Sequence, residues 1–185
     1  MSSALRMIKF NVASINTCTE TEGPYKRLTI WFQGCNIHCK GCCNPDYQAI
    51  VPKIILTLDE LIAIIHKAKE QFGIEGVTYS GGEPTLQQSL HLLTERIHGL
   101  GLGVISFTGR KFEEVKDILG NCDVVLDGAF DESCPETDRK LLGSSNQRII
   151  AITSRYEKVL DWFNSTDKTI EVNLNKRIVF NGDHI

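Results

Sequence analysis

Gly34-Cys35-Asn36-Ile37-His38-Cys39-Lys40-Gly41-Cys42-Cys43 sets three cysteines at the spacing C-x3-C-x2-C in one polar, glycine-punctuated loop. At such short intervals three thiolates can converge on one face of a metal centre. Iron–sulfur clusters are held by cysteine thiolates, usually four, so three cysteines around a four-iron cluster leave one iron open to a further ligand. Zinc is the competing reading, completed by His38 or by Cys43, because it too takes cysteine and histidine in a tetrahedron. Zinc loops usually come as two separated ligand pairs, and no second pair occurs in this chain. The spacing favours the cluster.

Upstream, Leu28-Thr29-Ile30-Trp31-Phe32 is a short apolar, β-branched and aromatic run that predicts a buried strand delivering the cysteines at its C-terminal end. Active-site loops lie at strand C-termini in parallel α/β architectures, so position and chemistry agree. Downstream, Thr57-Leu58-Asp59-Glu60 is a capping-box pattern. Leu58, Leu61, Ile62, Ile65 and Ala68 then recur at helical spacing until Gly73 supplies a stop. Glu75–Ser80 reads as the next strand and ends at Gly81-Gly82-Glu83. Adjacent glycines permit a positive φ or the close approach of a ligand; a plain strand-to-helix turn explains them equally well.

The alternation continues. Leu86, Leu90, Leu93, Ile97 and Leu100 form a helical stripe ended by Gly101, Val104–Phe107 a strand, Phe112–Leu119 a short helix, and Val124–Leu126 a strand. Asp131–Ser145, with Pro135 and Gly143, reads as a loop. Arg148–Ile152 reads as a strand and Tyr156–Phe163 as a short helix. Ile170–Leu174 and Arg177–Phe180 read as closing strands around an Asn175-Lys176 turn, and Met7–Val12 opens the chain as a first strand. Strands alternating with helices imply right-handed crossovers and a parallel sheet. The expected fold is α/β, a partial, open (β/α) barrel of about six mainly parallel strands, too short for an eight-fold barrel of about 250 residues. One domain is expected over residues 1–185.

The 185 residues are 42% hydrophobic, enough for one well-buried core. A formal net charge of −3 and a pI near 6.0 give no sequence-wide basic surface, which argues against a nucleic-acid partner. The start, Met1-Ser2-Ser3-Ala4-Leu5-Arg6, is too polar for a signal peptide, and charged residues interrupt every apolar run before the roughly 20 residues a membrane span needs. A cytoplasmic protein with no membrane partner is expected. Seven cysteines are an odd number, and four of them crowd into one loop, which favours a reducing compartment over disulfides. Cys18, Cys43, Cys122 and Cys134 lie outside the motif; one cluster is expected, with scattered cysteines serving as small hydrophobes.

Cysteines at this spacing followed by Ser80-Gly81-Gly82-Glu83-Pro84 resemble the radical S-adenosylmethionine superfamily. Within it the chain is most similar to the activating proteins of anaerobic ribonucleoside-triphosphate reductases, from about Gly23 to Ile150. Gly23-Pro24-Tyr25-Lys26-Arg27 resembles their G-P-G-x-R segment, Cys39-Lys40-Gly41-Cys42 their C-x-G-C ending, and Phe107-Thr108-Gly109-Arg110 their W-T-G-Y stretch. Leu126-Asp127-Gly128-Ala129-Phe130 and Gly143-Ser144-Ser145-Asn146-Gln147-Arg148 resemble motifs of that family rather than of radical chemistry at large. Tyr25, Cys43 and Arg110 depart from the pattern, where the family has glycine, an aromatic residue and tyrosine.

The resemblance implies a [4Fe-4S] cluster on Cys35, Cys39 and Cys42, whose open iron is chelated by the amine and carboxylate of S-adenosylmethionine. Electron transfer then yields methionine and a 5′-deoxyadenosyl radical. Gly81, Gly82 and Glu83 would hold the methionyl amine, and the backbone at Gly41, Cys42 and Cys43 would lie near adenine. Ser106 and Thr108 would touch ribose or carboxylate, with Asp127 a further candidate. The implied substrate is one glycine of a partner, a glycyl radical enzyme such as anaerobic ribonucleotide reductase, and the implied electron donor is a flavodoxin or ferredoxin. Asn146 and Gln147 carry uncharged donors and acceptors suited to gripping an inserted glycine loop; they would equally satisfy their own turn. Two other readings stand beside this one: a radical enzyme acting on a small molecule or modified base, of the 7-deazaguanine-forming type, and a non-catalytic metal-binding module.

Overall fold

A computed structural model of the chain describes residues 8–166, 169–175 and 177–182; Met7, the start of the expected first strand, and Lys176, half of the expected turn, lie outside them, as does the polar start. Nine strands and three α-helices are formed by the described residues. In chain order they are β1 (Lys9–Thr19), β2 (Arg27–Phe32), β3 (Ile54–Thr57), α1 (Leu58–Phe72), β4 (Gly76–Gly81), α2 (Leu90–Gly99), β5 (Gly103–Thr108), α3 (Lys116–Leu119), β6 (Val124–Asp127), β7 (Arg148–Ala151), β8 (Ile170–Asn175) and β9 (Arg177–Gly182).

Seven strands form one sheet in the order β3-β1-β2-β4-β5-β6-β7. β2, β4, β5 and β6 run parallel in the middle, while β1, β3 and β7 are antiparallel to their neighbours. The sheet ends in two edge strands, β3 and β7, so it does not close, as the sequence led us to expect of a partial α/β barrel. β8 and β9 pair with each other in a separate two-stranded sheet and do not extend the first.

Capping explains where α1 begins and stops. The Thr57 hydroxyl accepts from the Glu60 N–H, the Glu60 carboxylate accepts from the Thr57 N–H, and Gly73 ends the helix with φ 64°. Leu58, Leu61, Ile65 and Ala68 are the buried face. The second stripe is helical only from Leu90, because Pro84–Leu86 forms a 3₁₀ turn and Gln87 leaves the helical region with ψ 86°. The Tyr156–Phe163 segment is likewise a 3₁₀ helix, Ser154–Asn164, started by the Thr153 hydroxyl accepting from the Arg155 N–H.

Successive strand residues face opposite sides of a sheet. On the helix side, Leu28, Ile30, Phe32, Val77, Tyr79, Val104 and Val125 join the buried residues of α1 and α2 in the main core. The other side carries a smaller core of Ile105, Val124, Leu126, Leu142, Tyr156 and Phe163. Toward the C-terminal ends of the parallel strands, that second side opens into a cavity bordered by Trp31, Ser80, Phe107 and Leu126.

Candidate functional site

Backbone bonds hold the cysteine loop. The Gly34 N–H donates to the Tyr47 carbonyl (2.8 Å) and the Cys35 N–H to the Gln48 carbonyl (2.9 Å), which ties the loop to the 3₁₀ turn Pro45–Tyr47. The Cys35 sulfur accepts from the Ile37 N–H and the Cys42 sulfur from the Asn44 N–H, both at 3.4 Å. Burial pushes the Cys39 thiol up; the Phe130 N–H opposes that shift, while the Cys42 and Cys35 sulfurs add to it. All three cysteines border one cavity of about 490 Å³, within the roughly 300–1,000 Å³ usual for small-molecule sites. Among the described residues no three Cys, His, Asp or Glu side chains converge tightly enough to share a single metal ion. Thiols set around a cavity at wider spacing suit a multinuclear cluster, in which each sulfur takes its own iron, and N–H groups aimed at sulfur are one of the protein's levers on such a cluster. Of the two residues that could complete a zinc site, His38 is exposed and does not border the cavity, whereas Cys43 does.

The Gly81-Gly82-Glu83 turn lies directly on this loop. The Gly82 N–H donates to the Phe32 carbonyl (2.9 Å) and the Glu83 N–H to the Gly34 carbonyl (2.8 Å). A Cβ on Gly81 would stand 2.4 Å from the Phe32 nitrogen, and one on Gly82 would stand 2.2 Å from the Gly34 oxygen. The close approach that demands glycine here is therefore between two strand-end backbones. The Glu83 carboxylate is also engaged. It is 1% exposed and accepts from the Thr85 N–H (3.0 Å), the Thr85 hydroxyl (2.6 Å), the Thr108 hydroxyl (2.8 Å) and the Gly109 N–H (2.9 Å). It welds the end of β4 to the end of β5.

Other expected site residues divide by strand phase. Thr108 borders the cavity, although its hydroxyl already donates to Glu83 and accepts from the Arg110 N–H. Ser106 does not border it. Phe107 faces the cavity, so its neighbour Ser106 faces the helix side, fully buried and donating to the Phe107 carbonyl. Asp127 is displaced for the same reason: Leu126 faces the cavity, while the Asp127 carboxylate accepts from the Phe112 N–H (2.7 Å) and from Nε and Nη2 of Arg148. Neither Ser106 nor Asp127, both expected to contact S-adenosylmethionine, borders the cavity that the cysteines share.

Asn146 and Gln147 are spoken for within the chain. Asn146 donates to the Ala129 carbonyl (2.9 Å), and Gln147 donates to the Gly128 carbonyl (2.9 Å) while accepting from the N–H groups of Gly143 and Ser144 (2.8 and 3.2 Å). Their amides clamp the ends of the 131–145 loop, as a turn satisfying its own backbone does. That loop contributes Pro135, Glu136, Arg139, Leu141 and Leu142 to the cavity wall, which its polar sequence had not signalled. The Phe130 ring reaches from Gly41, where a Cβ would stand 3.2 Å from it, to Gly143, where a Cβ would stand 2.7 Å away. A Lys40–Glu132 ion pair adds a second tie between the cysteine loop and this wall.

Fold and site together define the class: an α/β enzyme of the radical S-adenosylmethionine type, with a [4Fe-4S] cluster and S-adenosylmethionine as cofactors. Residues 21–150 match the 4Fe-4S single cluster domain, and the chain belongs to that family. It is 26% identical over 146 residues to the anaerobic ribonucleoside-triphosphate reductase-activating protein of Enterobacteria phage T4, covering 75% of this chain and 92% of that one. It is 33% identical over 128 residues to the pyruvate formate-lyase-activating enzyme of Clostridium pasteurianum, covering 65% of this chain and only 52% of the relative. Among solved structures, QueE from Escherichia coli overlaps 57% of this chain and 55% of its own, at a TM-score of 0.48 and 17% identity.

Proposed function

We propose that this protein generates a glycyl radical on a cytoplasmic partner enzyme, anaerobic ribonucleotide reductase. The observation that carries the reading is that Cys35, Cys39, Cys42 and the Gly81-Gly82-Glu83 turn border the same cavity, locked together by backbone bonds. The partner is supported by the phage activating protein, which the chain matches over 92% of its length.

Cys35, Cys39 and Cys42 would hold the cluster, and the turn beside them would hold the methionyl amine. Bound together, the two cofactors supply abstraction of a hydrogen atom from a C–H bond. The chain's own residues do the rest. Trp31, Phe107, Leu126 and Phe130 give the cavity apolar walls that exclude water, and the four donors on Glu83 fix the strand ends that frame it. No helix of the described residues is long and apolar enough to cross a membrane.

The test is anaerobic reconstitution with iron and sulfide, then reduction in the presence of S-adenosylmethionine and anaerobic ribonucleotide reductase. A glycyl radical signal in electron paramagnetic resonance, with 5′-deoxyadenosine formed in step, is the expected result. The signal on pyruvate formate-lyase alone would reassign the partner, and 5′-deoxyadenosine without any protein radical would turn the reading toward a small-molecule substrate.

A further inference from the structure

The stretch between Cys35 and Cys39 rests on the end of β5. Ile37 packs against Gly109, where a Cβ would stand 2.6 Å from the Ile37 Cδ1. Beside it, Nη2 of Arg110 donates to the Asn36 side-chain oxygen (2.8 Å). Nε of Arg110 donates to the Thr85 hydroxyl (3.2 Å), which donates in turn to the Glu83 carboxylate (2.6 Å). Arg110 therefore ties the cysteine loop to the turn after β4. It does not border the cavity, so its guanidinium is no wall for a cofactor or a substrate. Its bonds need no charge, because a neutral amide or hydroxyl donor would satisfy Asn36 and Thr85. Arg96, Arg139, Arg148 and Arg155 each meet a carboxylate in an ion pair. Among the described residues Arg110 meets neutral oxygens only, with the Glu83 carboxylate one hydroxyl further on and already held by four donors. A guanidinium stays protonated at any working pH, so a full positive charge is fixed against the residue that follows Cys35.

We propose that Arg110 raises the reduction potential of the cluster held by Cys35, Cys39 and Cys42. A centre bound by three thiolates becomes more negative when it takes up an electron, and a nearby cation stabilises the added charge. Net charge is one of the means by which a protein sets the potential of such a cluster. Arg110 is thus a positioning residue for charge: its bond to Asn36 holds the guanidinium against the cysteine loop, and the charge favours the electron that starts the reaction. The inference rests on the proposed cluster ligands and holds for whichever substrate the radical meets.

The experiment is a potentiometric titration of the full-length chain, anaerobically reconstituted with iron and sulfide, without S-adenosylmethionine or partner. The reduced cluster is counted by its electron paramagnetic resonance signal. Arg110→Gln keeps a donor for Asn36 and removes the charge, while Arg110→Lys keeps the charge and gives up the planar fork. At the wild-type midpoint the ratio of reduced to oxidised cluster should fall about tenfold in Arg110→Gln, which is about 59 mV for a one-electron couple, and stay within about twofold in Arg110→Lys. Added salt should narrow the gap between wild type and Arg110→Gln, because Arg110 is only half-buried. A wild-type midpoint in Arg110→Gln would overturn the proposal. An Arg110→Lys midpoint as low as that of Arg110→Gln would do the same, since geometry rather than charge would then be responsible. If Arg110→Gln fails to hold the cluster, Arg110→Tyr, which also offers a neutral donor, decides: a lowered midpoint supports the proposal, and a wild-type midpoint or a second loss of the cluster makes Arg110 a structural tie and overturns it. Iron and sulfide analysis precedes the titration, so a wild type that takes up no [4Fe-4S] cluster sinks the cluster reading and this inference with it, whereas a loaded wild type with unshifted variants sinks this inference alone.

Discussion

The Arg27 guanidinium lies fully buried under Tyr156, donating to its hydroxyl at 2.9 Å while the ring centroid stands 5.2 Å from Cζ. Its other bonds go to the Thr78 hydroxyl (2.7 Å) and to the carbonyls of Val77 (2.7 Å) and Pro24 (3.3 Å). Burial pulls the Arg27 pKa down and Tyr156 opposes that shift. Arg27 ends the Gly-Pro-Tyr-Lys-Arg segment inside the matched family region, whereas Tyr156 comes from the chain beyond it. The segment after Ile152 thus supplies a partner to a charge at the heart of the fold.

Tyr156→Phe keeps the ring and removes the hydroxyl, leaving that guanidinium nitrogen with only the long bond to Pro24. The variant should lose about 1.5–3 kcal/mol of stability, the worth of a hydrogen bond to a buried charge. Urea unfolding followed by circular dichroism measures this, and an unchanged midpoint would contradict it.

Tyr25 takes φ 64° and is 53% exposed. The family pattern that this segment resembles has glycine here, the residue that adopts the left-handed region freely. Tyr25→Gly should therefore raise stability by about 1 kcal/mol, read as a higher melting temperature, while a fall would mean that the ring earns more in packing than the backbone loses.

Cys35→Ala, Cys39→Ala and Cys42→Ala should each abolish iron and sulfide uptake on reconstitution, because these sulfurs border the cavity. Cys122→Ala and Cys134→Ala should reconstitute normally, since Cys122 is buried in the helix-side core and Cys134 bonds to Asp131 and Asn146 in the loop. Loss of iron in either of the last two would refute the single-cluster assignment.

Burial pushes the Cys122 thiol from an ordinary value of 9.0 up to about 12. The folded state then keeps a proton that the unfolded chain gives up, so this group withdraws stability as pH rises from about 9 to about 12, by up to roughly 4 kcal/mol. Below pH 9 it has no effect. Chemical denaturation between pH 8 and 11 should give a steeper alkaline decline for the wild type than for Cys122→Ala, and parallel curves would contradict the assignment.

Cysteine spacing, helix caps and the strand–helix alternation made the cysteine loop, α1 and the parallel centre of the sheet readable from sequence. β3 escaped because its four residues, Ile54–Thr57, run straight into the capping box and read as the approach to α1. The faces on which Ser106 and Asp127 lie were not legible because β5 and β6 are buried on both sides, so no alternation of polar and apolar residues fixes their phase. The glycine pair was recognised as a place of close approach, yet the sequence could not say that the approaching group is the chain's own backbone at Phe32 and Gly34.

That contact at Gly82 bears on what holds the cysteine loop in shape. The bonds from Gly34, Cys35, Gly82 and Glu83 that anchor the cysteine loop run from backbone to backbone, and none depends on iron. Ordering a residue costs roughly 1–2 kcal/mol, and here the polypeptide meets that cost at the loop's anchors when it folds. Zinc fingers, by contrast, draw their fold from the metal and come apart without it. The anchors of this loop belong to the polypeptide alone, so loss of a bound cluster would leave them in place for another to be received.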